Sequence, residues 1–217
     1  MAMWEGFLWS PRANLSTTLL IKEQIIQAID YIAQFSNSGQ LQFVRYLTNV
    51  LVLHGDLFPP SLIQEKIKQT ELYSQTGMIR TLAKMLESIE NDKKVAFWST
   101  QIKPFWLNFW PKDKGLISPE LCESIIDLMI AYPPIFSEML EFFRDWLIPI
   151  KRTVVVYRLR DRGMHKTYPL EVLELLSRIF KNCLPTDIYD LERLLNEMDR
   201  SVVAEDPTFK QYIAYLK

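Results

Sequence analysis

The chain has 217 residues, of which 48% are apolar and 24% are charged, and its formal net charge is −1. This composition is that of an ordinary globular protein, and it excludes a collagen-like chain, a disulfide scaffold and a disordered chain of low hydrophobicity. The near-zero net charge also supplies no general attraction to nucleic acid or to an anionic membrane.

The first nine residues, Met1 to Trp9, are unusually rich in aromatic side chains. They lack a basic leader and carry Glu5 among the apolar residues, so they do not have the form of a signal peptide. An aromatic start of this kind is typical of the middle of a longer chain, and we expect the sequence to be a fragment of a larger protein. No apolar run approaches the roughly 18 residues that span a bilayer, so we expect a cytoplasmic protein with no membrane partner.

Helical periodicity runs along the chain, and many of the glycines and prolines mark the points where one apolar pattern stops and the next begins. Ser118-Pro119 and Asp206-Pro207 have the form of a helix N-cap followed by proline at the first helical position. The spacing predicts helices near residues 14–36, 39–53, 60–73, 76–91, 92–110, 119–132, 134–147, 152–162, 169–181, 187–199 and 207–216.

Two places in this pattern are ambiguous. Pro104 should kink or split the fifth predicted helix, because proline has no backbone N–H to donate. The β-branched run from Thr153 to Val156 is a candidate for a short strand, but no second run of this kind offers it a partner. A buried helical turn is therefore the favoured interpretation of that run.

Short helices joined by tight turns predict an all-α fold, built as an irregular helical-repeat (HEAT-like) stack of about eleven short antiparallel helices. The sequence has no repeat of fixed period, so the stack would be irregular. We expect a single helical domain over residues 1–217, or two sub-bundles with a soft boundary at the turn-rich stretch 111–117.

The sequence motifs of common enzyme and metal sites are missing. The chain contains no GxxxxGK[ST], GxGxxG, GxSxG or HExxH pattern, and His54 and His165 are isolated. Cys122 and Cys183 lie too far apart for a CxxC knuckle, and we expect both to be buried, reduced thiols, with a disulfide between them as the alternative. We therefore predict a protein that is not an enzyme, with no catalytic residue, no metal and no cofactor.

Paired carboxylates are the remaining candidates for chemistry. Glu138 with Glu141, and Asp187 with Asp190, are spaced to share a helix face. Such pairs are normal on the solvated face of an amphipathic helix, which is the favoured interpretation. A hydrolase or transferase would in addition need a pocket with converging polar groups.

A basic segment over residues 151–166 is the strongest local charge feature. It could bind an anion or an acidic partner, or could pair with the acid-rich end of the chain, which is the favoured interpretation. The cations of the segment are Lys151, Arg152, Arg158, Arg160, Arg162 and Lys166. The acids near the end of the chain are Glu192, Glu197, Asp199, Glu205 and Asp206.

Aromatic residues are the third feature, and core packing between helical layers is their favoured interpretation, since large aromatic side chains are mostly buried. Near Pro104, the helical spacing places Trp98 on a different face from Trp106 and Trp110. The alternative is an exposed patch that docks another protein, because tryptophan is enriched at interface hot spots. The candidate docking residues are Trp4, Trp9, Trp106 and Trp110.

Several segments of the chain are distinctive when taken together and in order. They are 4–12, 102–106, 110–112, 143–149, 157–159 with Gly163, 168–169 with 173–176, and 212–215. Together they resemble the C-terminal helical region of large bacterial proteins that carry sirtuin-like or NTPase modules and are associated with anti-phage defence. The likeness covers the first dozen residues and most of the chain after about residue 95.

The resemblance implies a helical, non-catalytic C-terminal module used for sensing or assembly. Its expected partners are proteins, namely other domains of a parent chain, a second copy of itself or a phage-encoded trigger. The alternative function is a nucleic-acid-binding accessory domain that uses the basic segment 151–166, although no recognised nucleic-acid-binding motif is present.

Overall fold

The structure is a computed structural model of the chain. Its described residues are 72–109, 117–150, 154–181 and 188–216, together with Gln27 and Thr48. The chain divides into two compact units, Met1–Gln75 and Thr76–Lys217, and nearly all of the described residues belong to the second. The first two predicted helices and most of the third lie outside the described residues. The soft boundary predicted at 111–117 stays a prediction, because all of that stretch except Ile117 lies outside them as well.

All regular secondary structure in the described part of the chain is helical, which confirms the prediction of an all-α protein for that part. The α-helices are α1 (Leu72–Ser88), α2 (Asn91–Phe97), α3 (Lys103–Phe109), α4 (Pro119–Ile130), α5 (Phe136–Phe143), α6 (Val154–Asp161), α7 (Met164–Thr167), α8 (Pro169–Ile179), α9 (Ile188–Glu197), α10 (Arg200–Val203) and α11 (Pro207–Tyr215). A π-helical turn spans Trp98–Ile102, and 3₁₀ turns span Pro133–Ile135 and Arg144–Trp146.

The starts of two helices follow directly from their capping residues. The side chain of Ser118 accepts a hydrogen bond from the backbone N–H of Leu121 at 3.2 Å, and Asp206 accepts one from that of Phe209 at 3.0 Å. In both helices proline follows the cap at the first position, where its missing N–H costs no hydrogen bond. Both predicted caps are thus confirmed.

The β-branched run is helical. Val154 begins α6, and Val155 and Val156 are buried on its inner face, while Thr153 lies outside the described residues. The helical conformation is confirmed for these three valines, but burial is confirmed only for Val155 and Val156, because Val154 is exposed.

The fifth predicted helix is split around Pro104, as expected. Because Pro104 donates no hydrogen bond, the ladder opens into the π-helical turn between α2 and α3, which holds an extra residue. Two side chains bond to backbone carbonyls at this place. The hydroxyls of Ser99 and Thr100 donate to the carbonyls of Val95 and Ala96 at 3.0 and 2.7 Å.

Trp98, the first residue of the π-helical turn, and Trp106 in α3 are both buried. The ring of Phe143 lies 5.9 Å from that of Trp98 and 4.6 Å from that of Trp106, and Trp146 lies 5.8 Å from Trp106. The wider turn rotates α3 relative to α2, so that two residues from different predicted faces reach the same aromatic partner. Core packing, the favoured interpretation, is confirmed for Trp98 and Trp106.

Trp106 is therefore corrected as a candidate docking residue. Its side chain is 1% exposed, so it presents no surface to a partner. The other candidates, Trp4, Trp9 and Trp110, lie outside the described residues.

The remaining core follows the predicted apolar stripes. Each of α1, α4, α8 and α9 buries a stripe at helical spacing, as an amphipathic helix should. The buried residues of these stripes are Met78, Ile79, Leu82, Ala83, Leu86, Leu121, Ile125, Ile126, Leu128, Met129, Val172, Leu173, Leu176, Ile179, Leu191, Leu194, Leu195 and Met198.

The neighbours Trp106 and Leu107 provide a test of this packing. Replacing Trp106 with alanine should lower the free energy of unfolding by about 3–5 kcal/mol, because it empties a buried aromatic site. Leu107→Ala, at a side chain that is 62% exposed, should change it by less than about 0.5 kcal/mol. Urea denaturation followed by tryptophan fluorescence and circular dichroism measures both, and equal losses would contradict the assignment.

Candidate functional site

The described cations of the basic segment all contact carboxylates of other helices. The pairs are Arg158 with Asp127, Arg160 with Asp190 at 2.8 Å, Arg162 with Glu87, and Lys166 with Glu197 at 3.4 Å. Lys151 and Arg152 lie outside the described residues. In the described part of the segment, each basic side chain is therefore balanced by a carboxylate.

The partners are mostly not the acids that the sequence favoured. Among the described pairs, only the one between Lys166 and Glu197 uses the predicted acid-rich end of the chain. Elsewhere in that end, Asp199 caps α10 by accepting from the backbone N–H of Ser201 at 2.9 Å, and Glu205 pairs with Lys210 at 2.6 Å. The packing of distant helices determines which carboxylate each cation contacts. The local charge density of the sequence does not show these partners.

A polar cleft of about 490 Å³ lies where α1, α4 and α6 meet. Its lining includes the apolar side chains of Ala83, Ile130 and Val154. Its charged lining consists of Arg80, Lys84, Arg158 and Arg162, with Glu87, Glu123, Asp127 and Asp161. The cleft is large enough for a small molecule, but it is more open and more polar than the pockets in which drug-sized ligands are enclosed.

A second surface is formed by α6 and α9, which contact each other. The guanidinium of Arg160 lies 5.7 Å from the ring centre of Tyr157, and that of Arg193 lies 5.5 Å from the ring centre of Tyr189. These distances are those of cation–π contacts. We call these four residues the Tyr–Arg face.

The Tyr–Arg face is exposed but ordered by its contacts. Tyr157 and Tyr189 are 47% and 63% exposed, while the half-buried ion pair between Arg160 and Asp190 joins the two helices beneath them. The sequence contains a signal for this face, since each arginine follows its tyrosine by three or four residues, the spacing of neighbours on a helix surface. The sequence analysis instead predicted docking residues among the tryptophans, because these are dense near the start of the chain and around Pro104.

The predicted carboxylate pairs serve structural contacts. Glu138 accepts hydrogen bonds from the Lys103 ammonium at 2.8 Å and from the Trp98 indole N–H at 3.1 Å. These bonds lower the pKa of Glu138, so the carboxylate is held ionised and is a poor general acid. Glu141 pairs with Arg144, Asp190 pairs with Arg160, and Asp187 lies outside the described residues.

His165 is a buried histidine with a single acidic neighbour. Its ring is 1% exposed, and its Nε2 lies 3.2 Å from the Glu197 carboxylate, which also contacts Lys166. Burial lowers the pKa of His165 and outweighs the opposing effects of Glu197 and of the Leu159 carbonyl. The ring is therefore neutral at pH 7 and fills space between α7 and α9.

Cys122 is a buried, free thiol, so it is not disulfide-bonded to Cys183, which itself lies outside the described residues. The backbone N–H of Ile148 donates to its sulfur at 3.4 Å, and the thiol donates to the carbonyl of the same residue at 3.6 Å. Burial raises the pKa of Cys122 to about 11. A thiol of this kind is a packing residue and a poor nucleophile.

Within the described residues, no three His, Cys, Asp or Glu side chains come together in a way that could hold a metal ion. None of the helices described there combines the length and the apolar character that crossing a membrane requires.

Comparisons with models of protein families, with curated proteins and with solved structures each found no match. Functional proposals for this chain therefore depend on its own residues and on the resemblance described above.

The burial of His165 predicts a pH dependence of stability. The unfolded chain takes up a proton at this residue as the pH falls through about 6.5, whereas the folded chain resists it, so the free energy of unfolding should fall below that pH. His165→Gln should remove this dependence between pH 6.5 and about 5.5, above the range where carboxylates titrate. Urea denaturation across this range measures it.

His54→Gln is the control for that experiment, because it removes the only other histidine. The variant should keep the dependence that His165 causes. A pH profile of His165→Gln that equals the wild-type profile would show that His165 titrates as it does in the unfolded chain.

The pKa of Cys122 predicts slow alkylation. At pH 8 the thiolate fraction of a group with a pKa of about 11 is about a hundredfold below that of an ordinary thiol, and burial slows the reaction further. In a Cys183→Ser background, iodoacetamide should therefore modify the native protein at least about a hundredfold more slowly than the same protein in denaturant. Mass spectrometry over time measures both rates, and equal rates would refute the assignment.

Proposed function

We propose that the chain is a non-catalytic helical interaction module that binds a protein partner through the Tyr–Arg face. The observation that carries the proposal is the pairing of two exposed tyrosines with arginines of their own helices, on α6 and α9. Tyrosine and arginine are among the residues most enriched at the energetic centres of protein interfaces.

The geometry of this face supports binding at low entropic cost. Each guanidinium is held near a ring, and Arg160 is also tied to Asp190, so the side chains are partly ordered before a partner arrives. An interface that is ordered in advance loses less rotamer freedom on association. Arginine and tyrosine side chains held in this way favour association with a specific partner over non-specific binding.

An exposed apolar side chain adjoins one tyrosine of the face. Ile188 at the start of α9 is exposed and directly precedes Tyr189 in the chain. Interfaces commonly combine aromatic anchors with such apolar neighbours and a charged rim.

The use of the polar groups supports a role without catalysis. Of the acids that the sequence singled out, Glu141 and Asp190 contact arginines and Asp199 caps a helix, while His165 is buried and its pKa is lowered. We further propose an irregular HEAT-like arrangement of the helices and a place at the C-terminal end of a larger bacterial, cytoplasmic defence protein. That part of the proposal rests on the resemblance described above.

The partner we propose is a protein: another domain of a parent chain, a second copy, or a phage-encoded trigger. Nucleic-acid binding through residues 151–166 is the weaker alternative. The four described cations of that segment already contact carboxylates, so the described part of the segment has little net positive charge to attract a polyanion.

The proposal is tested by removing the two tyrosine rings together. Tyr157→Ala/Tyr189→Ala should weaken association with the parent protein, or self-association, by about thirtyfold or more, the loss expected when interface hot spots are truncated. Sedimentation velocity and pull-down with the separately expressed parent domains measure it. The melting temperature should stay close to wild type, because both rings are exposed.

Tyr215→Ala is the matched control, since Tyr215 is 53% exposed and lies on α11, a helix that carries none of the four residues of the face. It should leave association unchanged. Association that survives in the double variant, or that is lost equally in Tyr215→Ala, would refute the face as the binding surface. Association that falls steeply with salt and requires oligonucleotide would favour the alternative instead.

A further inference from the structure

We propose that the cleft between α1, α4 and α6 binds a small phosphorylated molecule. The proposed ligands of the phosphate are Arg80 and Lys84 of α1, joined by Arg158 of α6 and by Arg162, which directly follows α6. This site is separate from the Tyr–Arg face and does not depend on the function proposed for that face.

Arg80 and Lys84 are exposed cations that share one side of α1. They lie four residues apart, and within the described residues neither has a carboxylate within ion-pair distance. Like charges at this spacing on a helix repel each other. A bound anion would relieve that repulsion and would not have to break an ion pair of either residue.

Arg80 is held in place on its inner side. Its Nε donates to the hydroxyl of Ser124 at 3.2 Å, and that buried hydroxyl donates in turn to the Glu120 carbonyl at 2.9 Å. This chain of hydrogen bonds positions the guanidinium and leaves its two terminal nitrogens for a ligand. Arginine presents such nitrogens as a planar fork that matches two phosphate oxygens.

Arg158 and Arg162 can be recruited at low cost. Their pairs with Asp127 and Glu87 line the same cleft and are partly exposed, and ion pairs that water reaches contribute little to stability. Charge-assisted bonds between arginine and phosphate are stronger than neutral hydrogen bonds. A phosphate in the cleft can therefore take one or both arginines from their carboxylates.

The lining of the cleft indicates a small ligand. Its volume of about 490 Å³ is that of a small-molecule site, and the apolar side chains of Ala83, Ile130 and Val154 in its lining can contact an organic group attached to the phosphate. The acids around it, including Asp161, would repel the many phosphates of a nucleic-acid strand while one or two phosphates sit among the four cations.

Inorganic pyrophosphate is the probe, titrated into the full chain at low ionic strength by isothermal calorimetry. We expect saturable binding to one site. Arg80→Ala/Lys84→Ala should raise the dissociation constant by about tenfold or more, since it removes two charge-assisted contacts. Lys93→Ala/Lys210→Ala removes two cations outside the cleft at the same change in net charge and should leave it unchanged.

Glu87→Gln gives the sharper test, because it frees Arg162 for the ligand and removes a negative charge from the cleft. It should lower the dissociation constant by about threefold, the size of effect expected for a weak exposed pair. A rise instead would contradict the recruitment of Arg162. Circular dichroism and melting temperature check folding, and Lys84→Ala alone, at an exposed side chain, serves if the double variant unfolds.

Two further results would overturn the proposal. One is binding that does not saturate, or that is the same in wild type and in Arg80→Ala/Lys84→Ala. The other is an oligonucleotide that binds tighter than pyrophosphate and loses affinity in Arg80→Ala/Lys84→Ala, because it would assign these cations to nucleic acid. Loss of partner association in Tyr157→Ala/Tyr189→Ala has no bearing on either result.

Discussion

The contact of one ring, Phe143, with two tryptophans is the constraint on which the described packing depends. Trp98 and Trp106 lie on either side of Pro104, and in a straight α-helix their side chains would point about 80° apart around the axis. The π-helical turn that precedes Pro104 brings both indoles against α5. Glu138 of the same helix binds the Trp98 indole and Lys103, so one short helix holds both halves of the split segment.

Much of the fold can be predicted from the sequence, because apolar spacing and capping are local. The first residues of α4 and α11 follow from Ser118-Pro119 and Asp206-Pro207. The split near Pro104 follows from the missing backbone N–H of that proline. The four-residue helices α7 and α10 were not predicted, since they are too short to show an apolar period. Periodicity also cannot reveal that the broken helix opens as a π turn.

The candidate sites were less accessible to prediction, because they depend on contacts between distant parts of the chain. The basic segment was evident from its composition, but its partner Glu87 is 75 positions away from Arg162. Two sides of α6 and the residue after it separate these side chains. Arg158 and Arg162 line the cleft, while Tyr157 and Arg160 belong to the Tyr–Arg face. Local charge density cannot separate these two groups, since they are interleaved in sequence.

Gly163, between α6 and α7, is the one described residue with a positive φ, at 66°. A β-carbon built there would meet nothing within 4 Å, so the site is limited by backbone torsion and not by space. Asparagine, which tolerates the left-handed region, is thus a milder replacement than a β-branched residue. The direction in which the chain leaves α6 therefore depends on the backbone torsion of Gly163. No neighbouring atom packs against the place where a β-carbon would lie.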